Sequence, residues 1–267
     1  MKFVQLLVIC LVLAAGSADA LQIPRSNLSL NDVISVVEKP FQFDRSGRPQ
    51  IENVRADFFQ RSTLAAKKKE YRAEGEMFLQ AASSVEPLKF RFDYFRPTRQ
   101  EVVCDGKTLW VYLPENRQVI QSDVAEFFDP MRSNPARDRG INFLQGLGRI
   151  SKDFTILFNN PMIDAAGNYI LELTPLRSSA TIRKLYITVN RESLMDAKGT
   201  RPQTNSPPAR PFEPHLFAIL STTVVDHDGN STTMEFSNIR TNGMMSDMLF
   251  NFMPPAEAQV VRPPAGR

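Results

Sequence analysis

The sequence predicts a mainly β (α+β) fold, an incomplete antiparallel β-barrel of about ten strands with covering helices. Apolar and polar residues alternate with period two over successive short segments, as half-buried strands require. Turn-forming links such as Asp105-Gly106 join these segments closely, which favours hairpins and an antiparallel meander. A meander this long curls rather than staying flat, so it gives a sheet with a concave side that helices can cover.

The first twenty residues are predicted to be a signal peptide. Lys2 supplies a positive charge, residues 3–15 are almost continuously apolar, and Ala18-Asp19-Ala20 has the small-x-small pattern of a cleavage site. The apolar run is shorter than the roughly 20 residues needed to span a bilayer. We therefore expect cleavage near Ala20 and export.

A helix and six strands are predicted for the first half of the mature chain. Ser29 is a suitable N-cap, Asp32 lies in the first helical turn, and Pro40 ends the helix. The period-two segments that follow are residues 50–60, 70–79, 89–95, 98–104, 108–113 and 117–122. Short connections between them predict an antiparallel meander.

The second half continues the sheet after a helical interruption. Between residues 123 and 152 apolar residues lie at helical spacing, which predicts short helices or helical loops. The strands predicted beyond them are residues 154–158, 169–174, 183–189, 216–225, 231–239 and 250–253. Residues 195–214 form a Pro-rich insertion that is predicted to be a loop, and residues 262–267 a disordered tail. Residues 21–261 therefore read as a single domain.

Composition narrows the class of protein. With 42% hydrophobic and 23% charged residues the chain is neither disordered nor a polytopic membrane protein. A net charge of +3 gives no electrostatic case for nucleic acid. Cys104 is the one cysteine of the mature chain, so it cannot form an internal disulfide and is expected to be a buried small apolar residue. We expect a monomer.

The sequence contains no convincing catalytic or metal site. The two histidines, His215 and His227, stand in a Pro-rich loop and at a hairpin tip, where no zinc-ligand spacing surrounds them. The alternation of Asp226 and Asp228 lacks the spacing of an EF-hand loop, so it predicts a polar turn. No enzyme activity, cofactor or metal is therefore expected, and binding is favoured over catalysis.

One face of the predicted sheet is rich in aromatic residues. The chain has 19 phenylalanines and one tryptophan. On alternating positions of three neighbouring strands lie Phe58, Met77, Phe90, Phe92 and Tyr94. Such rings could fill a closed core or line an apolar cavity, and periodicity alone favours neither.

Residues 86–97 and 105–114 resemble the central strands of the periplasmic outer-membrane lipoprotein carrier family, LolA and its relatives. The first stretch has a Pro followed by an aromatic-x-aromatic strand, and the second reads Asp-Gly-Lys-Thr-Leu-Trp-Val-Tyr-Leu-Pro. Residues 250–255, Phe-Asn-Phe-Met-Pro-Pro, resemble the family's terminal Phe-x-Phe-x-Pro-Pro. The resemblance implies a LolA/LolB-like incomplete barrel, closed by helices, whose cavity holds the acyl chains of lipoproteins.

The resemblance also implies partners and site residues. Partners would be acylated lipoproteins, an inner-membrane lipoprotein-releasing transporter and an outer-membrane acceptor. Phe90 and Phe92 match the family's aromatic pair, and Trp110 and Tyr112 its Trp-x-Tyr, so these four join Phe58, Met77 and Tyr94 as the expected lipid-binding cavity. An alternative is a periplasmic lipid-sensing or regulatory module on the same fold.

The sequence departs from the family at the residue expected to hold the helical lid. Glu86 stands where the family usually has an arginine before the Pro. The reversed charge makes Glu86 a changed candidate for lid control, and Arg91 and Arg96 are candidates to supply the missing positive charge. The alternative, which the pattern favours, is that each arginine is a solvated charge on a strand face.

Overall fold

The computed structural model describes residues 28–124, 146–179, 181–199 and 216–262. The predicted signal peptide lies outside these ranges. So do most of the predicted helical segment 123–152, all but the first residues of the Pro-rich insertion, and the tail from residue 263.

The first six strands form the predicted meander. Each pairs antiparallel with the next, and the turns between them are short. Their bounds are β1 Asn53–Leu64, β2 Lys69–Gln80, β3 Lys89–Arg96, β4 Gln100–Cys104, β5 Thr108–Leu113 and β6 Gln118–Asp123. The Asp105-Gly106 link is a tight turn in which Gly106 has φ +91°, a conformation that glycine adopts without a Cβ clash.

A second meander joins the first through β1. Its strands are β7 Phe154–Ile163, β8 Tyr169–Pro175, β9 Lys184–Val189, β10 Ile219–Val225 and β11 Ser231–Thr241, and the last element is β12 Gln259–Val261. In space the order is β12-β6-β5-β4-β3-β2-β1-β11-β10-β9-β8-β7. This one sheet of twelve described strands ends at β12 and β7 without closing, which confirms the incomplete antiparallel barrel.

Three α-helices accompany the sheet in the described ranges. They are α1 Leu30–Glu38, α2 Ile150–Asp153 and α3 Arg191–Lys198. α1 begins as predicted, because the hydroxyl of Ser29 accepts from the backbone N–H of Asp32 while the Asp32 carboxylate accepts from the N–H of Ser29. It ends before Pro40, which lies in a 3₁₀ turn over Lys39–Phe41.

Two predicted elements are wrong in detail. The predicted strand at residues 250–253 is instead the end of a 3₁₀ helix, Asp247–Phe250, followed by non-strand chain, because the Ser246 hydroxyl caps that helix and prolines follow. A short strand, β12, comes later and pairs parallel with β6. The Pro-rich loop also begins later than residue 195, since α3 continues to Lys198 and buries Leu194.

The sheet has an inner face, which packs against α1, and an outer face. Val33 and Val37 of α1 are buried in the same apolar cluster as the inner-face side chains of the sheet. The buried inner-face residues of the central strands are Val54, Ala56 and Phe58 of β1, Met77 and Leu79 of β2, Phe90 and Phe92 of β3 and Cys104 of β4. Cys104 has 0% exposure, which confirms the prediction of a buried small residue.

Candidate functional site

Four aromatic rings pack edge to face on the inner side of β1 and β3. The ring centroids of Phe58 and Phe92 are 5.7 Å apart, those of Phe58 and Tyr94 4.9 Å, and those of Phe90 and Phe92 5.8 Å. These separations are in the favourable range for T-shaped aromatic pairs. Met77 is buried on the strand between them. Five of the seven predicted cavity residues therefore form one contiguous apolar cluster.

The strand register brings these five side chains together. Met77 of β2 lies opposite Phe92, and Gly75 opposite both Phe58 and Tyr94. Directly opposed residues of neighbouring strands point to the same face of the sheet. The apolar side chains of the three strands therefore form one continuous surface. Gly75 has no side chain of its own, which leaves room for the Phe58 ring above it.

The inner face opens toward the β1–β2 turn. Along β2 the inner-face residues change from buried Met77 through half-buried Ala73 to Tyr71, which is 47% exposed. Tyr94 lies in this transition, and its hydroxyl donates to Oε1 of Gln60 at 2.9 Å. Burial raises the pKa of Tyr94 to about 12, because the phenolate would lose its hydration. Apolar surface and a few polar groups thus meet at this rim.

The second meander extends the same apolar face, which the sequence analysis did not assign to the site. Phe236 of β11 lies opposite Phe58 in register and is half-buried. Its ring packs against Phe217 at 5.9 Å, which in turn contacts Phe41 at 6.2 Å. The alternation of Thr232, Met234 and Phe236 could have indicated this, but the pairing of β11 with β1 links residues about 180 positions apart.

The helices over the inner face are tied to one another by two polar contacts. The Asp32 carboxylate of α1 pairs with the Lys198 ammonium of α3. That hydrogen bond, together with those from Ser29, lowers the pKa of Asp32 to about 2. At the other end of α1, Oε1 of Glu38 accepts from the backbone N–H of Ser151 in α2 at 2.6 Å. Polar contacts at the two ends of α1 therefore connect it to α3 and to α2.

Trp110 and Tyr112 lie on the outer face of the sheet. Trp110 is opposite Val103 and Tyr112 opposite Glu101, whereas Leu109 is opposite Cys104 on the inner face. The expectation that both belong to one cavity with Phe90 and Phe92 is corrected by this register. Both rings instead pack against Phe252 in the C-terminal segment, with centroids 6.0 and 5.9 Å away.

Comparison with known proteins agrees with this architecture. Residues 49–204 match the family model described as "Outer membrane lipoprotein carrier protein LolA". The chain belongs to the LolA family. The match covers more than half of the chain and includes β1 to β9, α2, α3 and every predicted site residue, whereas α1 precedes it.

Several curated relatives carry the name outer-membrane lipoprotein carrier protein. One from Methylobacillus flagellatus is 27% identical over 208 residues, which covers 78% of this chain and 82% of the relative. One from Methylococcus capsulatus is 24% identical over 262 residues and covers 97% of each chain. A solved LolA superfamily protein from Nitrosomonas europaea covers 82% of this chain and 96% of that one, with 14% identity and a TM-score of 0.38.

In this LolA-family chain, Arg91 lies on the outer face and forms hydrogen bonds with three other residues. Its Nε donates to both carboxylate oxygens of Asp93 at 2.8 and 2.9 Å, and an NH2 group donates to Glu101 at 2.7 Å. Another NH2 group donates to the backbone carbonyl of Leu249 at 3.3 Å. Partial burial by itself would lower the pKa of Arg91. The neighbouring carboxylates of Asp93 and Glu101 outweigh this effect, so the pKa is raised. Arg91 therefore links β3 to the C-terminal segment on the outer face, and its candidacy for lid control stays a prediction.

The other two lid candidates lie in exposed positions. The Glu86 carboxylate accepts from Nε2 of Gln80 at 3.0 Å and is 3.7 Å from Nζ of Lys89. Arg96 pairs with Glu74 across β2 and β3. Among the described residues, Asp32 and Glu38 make polar contacts from α1 to the other helices, and neither was predicted to take part in lid control.

The chemistry offered by the inner face is apolar contact. Within the described ranges no group of three or more His, Cys, Asp or Glu side chains could hold a metal ion. In the same ranges, no helix has the length and hydrophobicity to cross a bilayer. Burial raises the pKa of the Cys104 thiol to about 12, so the thiol remains protonated at neutral pH and is not a nucleophile there.

Proposed function

We propose that this protein is a periplasmic carrier that binds the acyl chains of lipoproteins on its inner face and carries them from the inner to the outer membrane. The observation that carries the proposal is the continuous apolar inner face, from Phe90 on β3 to Phe236 on β11, beneath a helical cover. Membership of the LolA family and the names of the curated relatives support it.

The physical chemistry of acyl chains requires such a surface. Each methylene removed from water contributes about 0.8 kcal/mol, so a lipid anchor crosses an aqueous compartment only inside an apolar site. The aromatic cluster supplies that contact without charged groups, which permits release. The side chains Phe58, Phe90 and Phe92 are buried under the cover, so the proposal requires the helices to move before an acyl chain enters.

The helical cover is suited to displacement. α1 is joined to α3 by the Asp32–Lys198 ion pair and to α2 by the Glu38–Ser151 hydrogen bond. The carboxylate and ammonium of the ion pair are partly solvated, and such pairs stabilise a structure little. An acyl chain that replaces α1 against the aromatic cluster would compensate for the lost apolar contacts.

The proposal is tested by the release of lipoproteins from membranes. The purified protein is incubated with inner-membrane vesicles that hold a triacylated lipoprotein and the releasing transporter, and lipoprotein in the soluble fraction is measured. Phe236→Glu, on the inner face, is expected to reduce release strongly. The matched comparison is Phe236→Gln with Phe59→Gln, because Phe59 is a 37% exposed ring on the outer face and an uncharged side chain is not repelled by its register partners Glu74 and Glu235. Phe59→Gln is expected to leave release unchanged.

The outcomes separate the alternatives. If Phe236→Glu unfolds the protein, Met234→Gln makes a smaller polar change on the same face and replaces it. Failure of the wild type to solubilise any lipoprotein contradicts the carrier. Lipid binding without transfer to outer-membrane vesicles would support the regulatory alternative and also contradict the carrier.

A further inference from the structure

The tip of the β1–β2 hairpin is a strongly basic part of the described surface. Between Arg61 and Arg72 the chain has five basic side chains and one acidic one. Three of them are consecutive, Lys67, Lys68 and Lys69, and all three side chains are exposed. We call Lys67, Lys68, Lys69 and Tyr71 the basic tip.

The charges of the basic tip are not neutralised within the described ranges. There, none of the three lysines forms an ion pair with a carboxylate, and the nearby Glu70 pairs with Arg72 instead. The adjacent turn between β10 and β11 contains Asp226. Its carboxylate accepts hydrogen bonds from N–H groups of Asp228 and Asn230 in the same turn. Asp228 is the exposed acid of that turn. Five basic side chains between residues 61 and 72 face three acids, Glu70, Asp226 and Asp228, so the two tips together remain positive.

The conformation of the turn projects the lysines outward. Lys68 has φ +49° and its N–H donates to the carbonyl of Ala65 at 3.3 Å, which makes a tight reversal. The turn is fixed against its neighbour, because the N–H of Ala65 donates to Oδ1 of Asn230 at 3.0 Å. The tip therefore projects from the surface, and its hydrogen bond to the β10–β11 turn fixes its position.

The tip also carries an aromatic ring. Nζ of Lys69 lies 4.8 Å from the centroid of Tyr71, a cation–π distance, and Tyr71 is 47% exposed. Tyrosine beside lysine is typical of groups that lie at a bilayer interface, where the ring enters the headgroup layer and the ammonium meets phosphate. The lysine ammonium is a compact charge on a flexible stem, so it can approach a phosphate from many directions. An arginine guanidinium is planar and is best matched by a group that accepts two parallel hydrogen bonds.

We propose that the basic tip docks the protein on a bilayer surface that contains anionic phospholipid. The tip projects from the end of the sheet at which the inner face opens, as the exposure of Tyr71 and the burial of Met77 show. Docking would turn that opening toward the membrane from which an acyl chain leaves or which it enters. This inference deepens the proposed carrier function and rests on it for its purpose.

Binding of this kind is weak and reversible. Each lysine near an anionic surface contributes about 1 kcal/mol, or about fivefold in binding, and the attraction falls off within a Debye length. Loss of three lysines is therefore expected to reduce vesicle binding by roughly a hundredfold at low salt. A carrier that must leave one membrane and reach another requires this range of affinity.

The test is sedimentation of the purified protein with vesicles of phosphatidylethanolamine and phosphatidylglycerol, compared with phosphatidylcholine alone. We expect salt-sensitive binding to the anionic vesicles and its loss in Lys67→Gln/Lys68→Gln/Lys69→Gln. The matched control is Lys39→Gln/Lys107→Gln/Lys152→Gln, which removes three exposed lysines elsewhere and the same net charge. The control should lose at most severalfold.

Two results would overturn the proposal. One is equal binding to anionic and zwitterionic vesicles, and the other is an equal loss in both triple variants. A tip variant that binds anionic vesicles normally but fails to bind the releasing transporter would likewise overturn it and assign the tip to an acidic protein surface. Uptake of a fluorescent fatty acid without vesicles tests the inner face alone, so its failure contradicts the carrier and leaves docking to be judged separately.

Discussion

The ring of Phe58 lies directly over Gly75, its register partner on β2. A Cβ placed on Gly75 would be 2.8 Å from Cζ of Phe58 and 2.0 Å from the carbonyl oxygen of Asp93. The second contact is with backbone, which cannot rotate away. The aromatic cluster therefore depends on the absence of a side chain at this one position of the central sheet.

Gly75→Ala is accordingly expected to destabilise the protein, by roughly 2 kcal/mol or more, as overpacking of a close-packed site does. Gly243→Ala is the control, since a Cβ there meets nothing within 4 Å. Urea unfolding measures both. Equal stability of Gly75→Ala and the wild type would contradict the close approach of β2 to β3 and Phe58.

The buried thiol of Cys104 makes stability fall at alkaline pH. Burial raises its pKa from 9.0 to about 12, so above pH 9 the unfolded chain releases a proton that the folded chain keeps. The contribution is fully present below pH 9 and is lost as the pH rises to about 12, with a slope of at most about 1.4 kcal/mol per pH unit.

Cys104→Ala should flatten this dependence, whatever it does to stability at pH 7. The free energy of unfolding is measured in urea at pH 8 and pH 10.5 for both proteins, and the difference between the two pH values is compared. The native thiol should also react with iodoacetamide only at the rate of unfolding. An unchanged pH slope in the variant, or rapid native labelling, would be inconsistent with the buried site.

The Asp32–Lys198 pair is expected to slow the opening of the helical cover. Lys198→Met keeps the aliphatic stem and leaves the Ser29–Asp32 capping box in place, so it removes the link between α1 and α3 alone. Uptake of a fluorescent fatty acid should become faster by a small factor. Lys152→Met, on α2, is the control because Lys152 is an exposed lysine of the same cover.

The same pair predicts a change in acid titration. Lys198 and Ser29 stabilise the Asp32 carboxylate and lower its pKa from 3.8 to about 2. The stabilisation is therefore complete above about pH 3.8 and is lost as the pH falls through about 2. In Lys198→Met the Asp32 pKa should move back toward 3.8, as carboxyl NMR shifts would report. If neither titration nor uptake changes, the link does not hold the cover.

Arg91→Met is expected to loosen the C-terminal segment. Asp93 and Glu101 are opposed in register, so the variant leaves two carboxylates facing each other, at a cost of roughly 2 kcal/mol. The bond to the Leu249 carbonyl is lost as well. Trp110, the single tryptophan, packs against Phe252 of that segment, so its emission should shift to longer wavelength.

Neutral partners should restore the variant. Adding Asp93→Asn and Glu101→Gln to Arg91→Met removes the repulsion and is expected to recover part of the stability. Arg48→Met, which breaks an exposed pair with Glu52 at 3.7 Å, is the control and should have little effect. Trp110 emission unchanged in Arg91→Met would show that the segment is held by other contacts.

Much of the fold follows from local pattern. Period-two alternation predicted which residues of β1, β2 and β3 share a face, because successive side chains in a strand point to opposite sides. The cap at Ser29, the stop at Pro40 and the turn at Gly106 are local backbone requirements, which a sequence displays directly. The family motif in residues 86–114 added the overall architecture.

The site was predictable only in part. Alternation divides each strand into two faces but does not say which face of β5 continues which face of β3, because that depends on the register of every hairpin between them. Phe90 and Phe92 therefore lie inside while Trp110 and Tyr112, equally aromatic, lie outside under Phe252.

Local pattern alone predicted most of the strands, the two faces of each, the start of the first helix and the burial of Cys104. The folded sheet was needed to show which aromatic rings meet, that Arg91 contacts the C-terminal segment, and that Asp32 and Glu38 connect the covering helices. Caps and alternation act between residues that are close in sequence. The ring contacts depend instead on the register of several hairpins, and the polar contacts of Arg91 and Glu38 join residues 158 and 113 positions apart, so both exist only once the sheet has formed.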